Sequence, residues 1–140
     1  MNVVDSSGWL EYFADDENAA FFADPIEQED ALVVPMIGLY EVFKHVLREA
    51  GRDDALRAVA FMKNGRIVAL DESLALNAAH ISHRHKIPMA DSIFLATARA
   101  HEAILWTQDA DFEGLRTCLA RRLLLATSWI SRPEASAFAW

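Results

Sequence analysis

Short apolar runs alternate with helix-periodic stretches along the whole chain. Five runs have the length and composition of strands: residues 2–4, 31–34, 66–70, 103–106 and 123–126. The run at 66–70 is rich in the residues expected of a strand covered on both faces. Helical spacing fills the gaps. Residues 9–13 read as at least one turn, capped by Ser6 or Ser7, and residues 17–23 as a short helix ended by Pro25. Leu39, Val42, Phe43, Val46 and Ala50 form one stripe of a helix over 36–50, with Gly51 placed for a C-terminal cap. A helix over 53–63 has Leu56, Val59 and Ala60 as its core face, and one over 72–85 has Leu74, Ala78 and Ile81. Pro88 takes a first-turn position of a helix over 88–101 that is apolar almost all round and therefore buried, with Asp91 as the acid of its first two turns. Strands alternating with helices predict an α/β fold with a parallel sheet.

The chain has 140 residues, 53% of them hydrophobic, which fits one domain, 1–140, with its own core. Residues 132–140 form an Ala-rich tail whose Phe138 and Trp140 suit a partner surface if ordered. The single cysteine, Cys118, rules out an internal disulfide and suits a reducing compartment, where it reads as a small core residue. The start Met1-Asn2-Val3-Val4-Asp5 reaches a charge before a signal sequence forms, and no apolar run is long enough for a membrane span. A cytoplasmic protein is expected. The net charge of −8 argues against a nucleic-acid partner held by charge alone. A carboxylate metal site also makes a chain acidic, so the placement of the acids decides.

In parallel α/β sheets, ligands bind beyond the carboxyl ends of the strands. Asp5 directly follows the first strand, and Asp109 follows the fourth after Thr107 and Gln108, with Asp111 two residues on. Glu41 lies early in the helix after the second strand, and Asp91 in the first turn of the helix before the fourth. Taken singly, each acid has an ordinary use as a helix cap, a dipole partner or half of an intrahelical ion pair. Four acids converging from four segments repel one another, and a bound hard cation is the usual compensation.

These residues resemble a known family. Val3-Val4-Asp5-Ser6-Ser7, Pro35 followed by Glu41-Val42, Ala90-Asp91-Ser92 and Leu105-Trp106-Thr107-Gln108-Asp109-Ala110-Asp111-Phe112 are similar to the PIN domain, and the whole chain resembles VapC-type toxins of toxin–antitoxin pairs. The resemblance implies a five-stranded parallel sheet flanked by helices on both faces. It implies a Mg²⁺- or Mn²⁺-dependent endoribonuclease, an RNA substrate, a homodimer and an antitoxin partner. Carried over by position, Asp5, Glu41, Asp91 and Asp109 match the catalytic acids. Asp5, Asp91 and Asp109 would hold the metal, Glu41 would join directly or through water, and Asp111 ranks lower. Ser6 and Thr107 match accessory polar positions. Met36-Ile37-Gly38 departs from the family's usual small or hydroxyl residues before the helical acid.

Lys44, His45 and Arg48 follow Glu41 at spacings of three, four and seven, which gives either a phosphate-contacting stripe or a solvated face of ion pairs. Arg121 and Arg122 add to a basic rim or are plain surface. His80, His83 and His85 read as a polar helix face rather than a zinc site. The alternative to an enzyme is a receiver-like or RNA- or partner-binding α/β domain with an acidic pocket. Asp71 stands where a phospho-accepting residue would follow the third strand, but the lysine such domains need after the last strand is missing. A phosphatase using Asp5 as nucleophile would carry a second Asp at position 7, where this chain has Ser7.

Overall fold

A computed structural model of the chain describes residues 1–112, Leu115 and the strand Arg121–Arg122. Cys118, the expected strand at 123–126 and the tail at 132–140 lie outside the described residues. In order, the elements are β1 (Asn2–Val4), α1 (Ser6–Ala14), α2 (Ala19–Glu27), β2 (Leu32–Pro35), α3 (Met36–Ala50), α4 (Arg52–Met62), β3 (Arg66–Val68), α5 (Glu72–His85), α6 (Met89–Ala100), β4 (Ile104–Thr107) and β5 (Arg121–Arg122). Short 3-10 turns at Glu29–Ala31 and Ala110–Phe112 precede β2 and follow β4.

The strands form one sheet in the order β3-β2-β1-β4-β5. Every pairing is parallel: Val3 lies opposite Val33 and Leu105, Val34 opposite Ile67, and Thr107 opposite Arg122. Successive side chains point to opposite faces of a strand, so Val3 and Val4, both fully buried, feed two different cores. Val3, Val33 and Leu105 pack with Leu74, Ala78, Ile81, Phe94 and Leu95 from α5 and α6. On the other face, Val4, Leu32 and Val34 pack with Trp9, Phe22, Val42, Val46 and Met62 from α1 to α4. Helices thus cover both faces.

Several elements differ in detail from the sequence expectation. Asp5, rather than Ser6 or Ser7, caps α1: its backbone is extended at φ −72° and ψ 171°, and its side chain accepts from Gly8 N. Pro25 lies inside α2 instead of ending it. Pro25 and its neighbour Ile26 are both buried, so packing offsets the hydrogen bond that proline withholds. Pro88 is the cap of α6 rather than its first residue. The core face of α4 is Ala55, Ala58 and Met62, and Leu56 is 47% exposed. Small alanines let α4 lie close against α3, a choice that ranking by side-chain size misses. The third strand covers Arg66–Val68 and lies at the sheet edge, half exposed rather than doubly covered.

Other features follow the sequence directly. Gly51 ends α3 at φ +92°, a conformation open to glycine, and donates to Leu47 O. In α6, seven successive residues from Ser92 to Ala98 are buried. Among the described residues, no helix is long and apolar enough to cross a membrane.

Candidate active site

The chain direction brings the acids together. β1, β2 and β4 are parallel, so their carboxyl ends share one edge. α6 leads directly into β4 and therefore starts near that same edge. Asp5 terminates β1, and its backbone N–H still bonds Trp106 O at 3.2 Å, extending the β1–β4 pairing into the site. Glu41 is the sixth residue of α3 and Asp91 the third of α6. Asp109 and Asp111 follow β4.

Asp5 is 4% exposed and well supplied with donors. Oδ1 accepts from Gly8 N at 2.8 Å and from Ser7 Oγ at 2.9 Å, and Oδ2 accepts from Thr107 Oγ1. Burial nevertheless pushes its pKa from 3.8 to about 6, because desolvation outweighs the hydrogen bonds and the Asp109 charge adds to it. Asp91 rises to about 7, first through burial and then through the charges of Asp109, Asp5, Asp111 and Glu41. All four other acids therefore act on Asp91 electrostatically. Glu41 is held by Ser6, whose Oγ donates to Glu41 Oε1 at 2.6 Å. Thr107 Oγ1 accepts from Asp109 N at 2.9 Å, and Asp109 Oδ1 accepts from Asp111 N at 2.9 Å.

One oxygen each from Asp91, Asp109 and Asp111 lies within 4.8 Å of the others. All are carboxylate oxygens, the donors that Mg²⁺ and Mn²⁺ prefer. A divalent cation fits here: it would offset the burial and the neighbouring negative charges that raise the Asp91 pKa. The geometric trio takes in Asp111, while Asp5 stands beside it with its oxygens turned to Gly8, Ser7 and Thr107.

The other expected residues lie apart from this cluster or have other partners. On α3, Lys44 Nζ stands 5.7 Å from the Tyr40 ring centroid. Arg48 pairs with Glu49 at 2.9 Å and reaches His45 Nδ1 at 3.3 Å. Burial and the Arg48 charge hold His45 below its ordinary pKa. Asp71 caps α5 by accepting from Leu74 N at 2.8 Å. His80 and His83 are exposed on α5. The side chains of Arg121 and Arg122 lie outside the described part. Sequence reasoning passed over Glu11, Asn18 and Gln108, which bond one another beside Asp109. The available signal was Glu11, an acid between Trp9 and Phe13 on a helix that packs on the core.

No curated protein matches the chain. Among solved structures, a toxin–antitoxin complex from Klebsiella pneumoniae is similar at TM-score 0.69 and 19% identity, over 83% of this chain and 93% of that one. VapC20 of Mycobacterium tuberculosis, a toxin that cleaves the sarcin–ricin loop, is similar at TM-score 0.68 and 19% identity, over 80% and 92%. VapBC2 of Rickettsia felis, bound to a DNA fragment from its promoter, is similar at TM-score 0.68 and 11% identity, over 86% and 97%. The family model of the PIN domain matches residues 3–116, a span that holds all five clustered acids, and this chain belongs to the PIN-domain family.

Proposed function

We propose that this PIN-domain chain is a Mg²⁺- or Mn²⁺-dependent endoribonuclease and the toxin of a toxin–antitoxin pair. The observation that carries the reading is the convergence of Asp5, Glu41, Asp109 and Asp111 on Asp91, whose pKa their charges and burial raise to about 7. Burial first and the neighbouring charges second both disfavour the ionised cluster, and a bound divalent cation would offset both.

In this reading Asp91 and Asp109 supply the main ligand oxygens. Asp111 and Asp5 flank them, and Glu41 contributes directly or through water. When bound, a divalent cation activates water and offsets charge developing on the phosphoryl oxygens. The chain's own residues set the geometry. Thr107 orients Asp5 through Oδ2, and Ser6 fixes Glu41 through Oε1, which aims its second oxygen. Lys44 and Arg48, both exposed on α3 beyond Glu41, offer positive charge to RNA phosphates that the acidic total would otherwise repel.

Relatives of the same fold support the biological setting: one cleaves the sarcin–ricin loop, and two were solved as toxin–antitoxin assemblies. As such a toxin the chain would pair with an antitoxin, form a homodimer and work in the cytoplasm, the last supported by the single cysteine. The test is incubation of purified, antitoxin-free protein with total cellular RNA in Mn²⁺ or in chelator. Discrete fragments that vanish with chelator are expected. Intact RNA under every metal would overturn the nuclease and leave an acidic RNA- or partner-binding domain.

A further inference from the structure

The residue before Asp109 is anchored far away in the sequence. Gln108 Nε2 donates to Glu11 Oε1 at 3.3 Å, and Gln108 Oε1 accepts from Asn18 Nδ2 at 2.9 Å. The ring closes through Asn18 N, which donates to Glu11 Oε2 at 3.3 Å. Donors and acceptors match throughout: both Glu11 oxygens receive N–H groups, and the Gln108 amide is used at both ends. Glu11 is 5% exposed, so this carboxylate depends on protein donors. It comes from α1, Asn18 caps α2, and Gln108 leaves β4.

The ring bears on the acidic cluster through the backbone. Thr107 is fixed by the sheet, Gln108 by the ring and the Asp109 amide by Thr107 Oγ1, so the backbone leading into Asp109 is held at three successive residues. The Asp111 amide then bonds Asp109 Oδ1 at 2.9 Å, which carries the constraint one step further. Asp109 and Asp111 face Asp91 across a distance at which like charges repel. A short turn held only by its own bonds would relax by swinging these carboxylates apart, and a pinned turn does not.

We infer that Glu11, Asn18 and Gln108 are positioning residues that hold Asp109 and Asp111 against Asp91 before any cation binds, so that the site is preorganised. The inference rests on the metal-site reading above. Their side chains bond one another rather than the clustered acids, so they act through the turn. Partners of this kind set metal affinity by keeping ligands in place.

The test is calorimetric titration of the full chain with Mn²⁺, well below the unfolding temperature, for wild type, Gln108→Leu and Asn18→Ala. The metal-free unfolding midpoint of each is measured alongside. Dissociation constants weaker by roughly 10-fold or more are expected for Gln108→Leu, with a smaller loss for Asn18→Ala, which removes one hydrogen bond. A merely structural role would lower the midpoint and leave the Mn²⁺ affinity of the folded protein unchanged, and that result overturns the inference while the nuclease reading stands. If Gln108→Leu does not fold, Asn18→Ala decides alone. Absence of Mn²⁺ binding by wild type would overturn the metal-site reading itself, and this inference with it.

Discussion

Thr107 joins Asp5 to Asp109 through a single oxygen: its hydroxyl donates to Asp5 Oδ2 while the same Oγ1 accepts the amide of Asp109. Both bonds are lost in Thr107→Val, which keeps the shape. The mutation leaves the buried Asp5 carboxylate short of a donor, a cost of about 1–3 kcal/mol near pH 8. It also removes the largest influence that lowers the Asp5 pKa, so that pKa climbs further above 6. Urea unfolding of metal-free protein checks the first effect, and an NMR titration of the Asp5 carboxyl checks the second.

Stability of the metal-free protein should depend on pH in an unusual direction. Asp5 and Asp91 titrate at about 6 and about 7 when folded, against 3.8 for the free side chain. The folded state therefore holds more protons than the unfolded state between these values. The stabilisation is complete below about pH 4 and is lost as pH rises through about 6 and 7. Thermal midpoints are expected to fall from about pH 5 to about pH 8, and saturating Mn²⁺ should flatten or reverse that slope because it binds the charged carboxylates.

The start of α1 has no room for a side chain at Gly8. A Cβ there would come within 2.6 Å of the Phe22 ring and 2.7 Å of the Val4 side chain. Phe22 and Val4 are fully buried and have little space to give. Gly8→Ala should cost about 1–3 kcal/mol in chemical denaturation, the range for an overpacked core.

Arg48 and Lys44 are expected to assist RNA without building the site. The Arg48–Glu49 pair is exposed and adds at most about 1 kcal/mol to stability. Arg48→Glu should leave the unfolding midpoint nearly unchanged. It should weaken RNA binding at low salt and reduce the slope of log affinity against log salt by roughly 1. Unchanged binding across a salt series would remove Arg48 from the RNA surface.

Much of this was legible in the sequence because it depends on local pattern. The stripe Val42–Val46 on α3, the Leu74–Ala78–Ile81 face of α5 and the all-round burial of α6 each follow from periodicity. The acids were legible from their positions after strands and at a helix start, since topology alone carries them to one edge. What escaped depends on tertiary choice. Two alanines outcompeted Leu56 for the core because α4 lies close to α3. Asp5 took the cap of α1, which freed Ser6 for Glu41 and left Ser7 to brace Asp5. The ring of Glu11, Asn18 and Gln108 joins residues up to 97 positions apart, and no local spacing signals it. Asp111 ranked below Asp5 as a ligand by resemblance, yet Asp111 is the residue whose oxygen groups with those of Asp91 and Asp109.

The role proposed for the acids around Asp91 is RNA cleavage with a divalent cation. Its most direct measurement is Mn²⁺-dependent RNA cleavage by Asp91→Asn beside wild type, both shown to be folded by circular dichroism. Discrete fragments are expected from wild type and, from the variant, no more cleavage than wild type gives in chelator. Wild-type fragments reproduced in full by Asp91→Asn would contradict it.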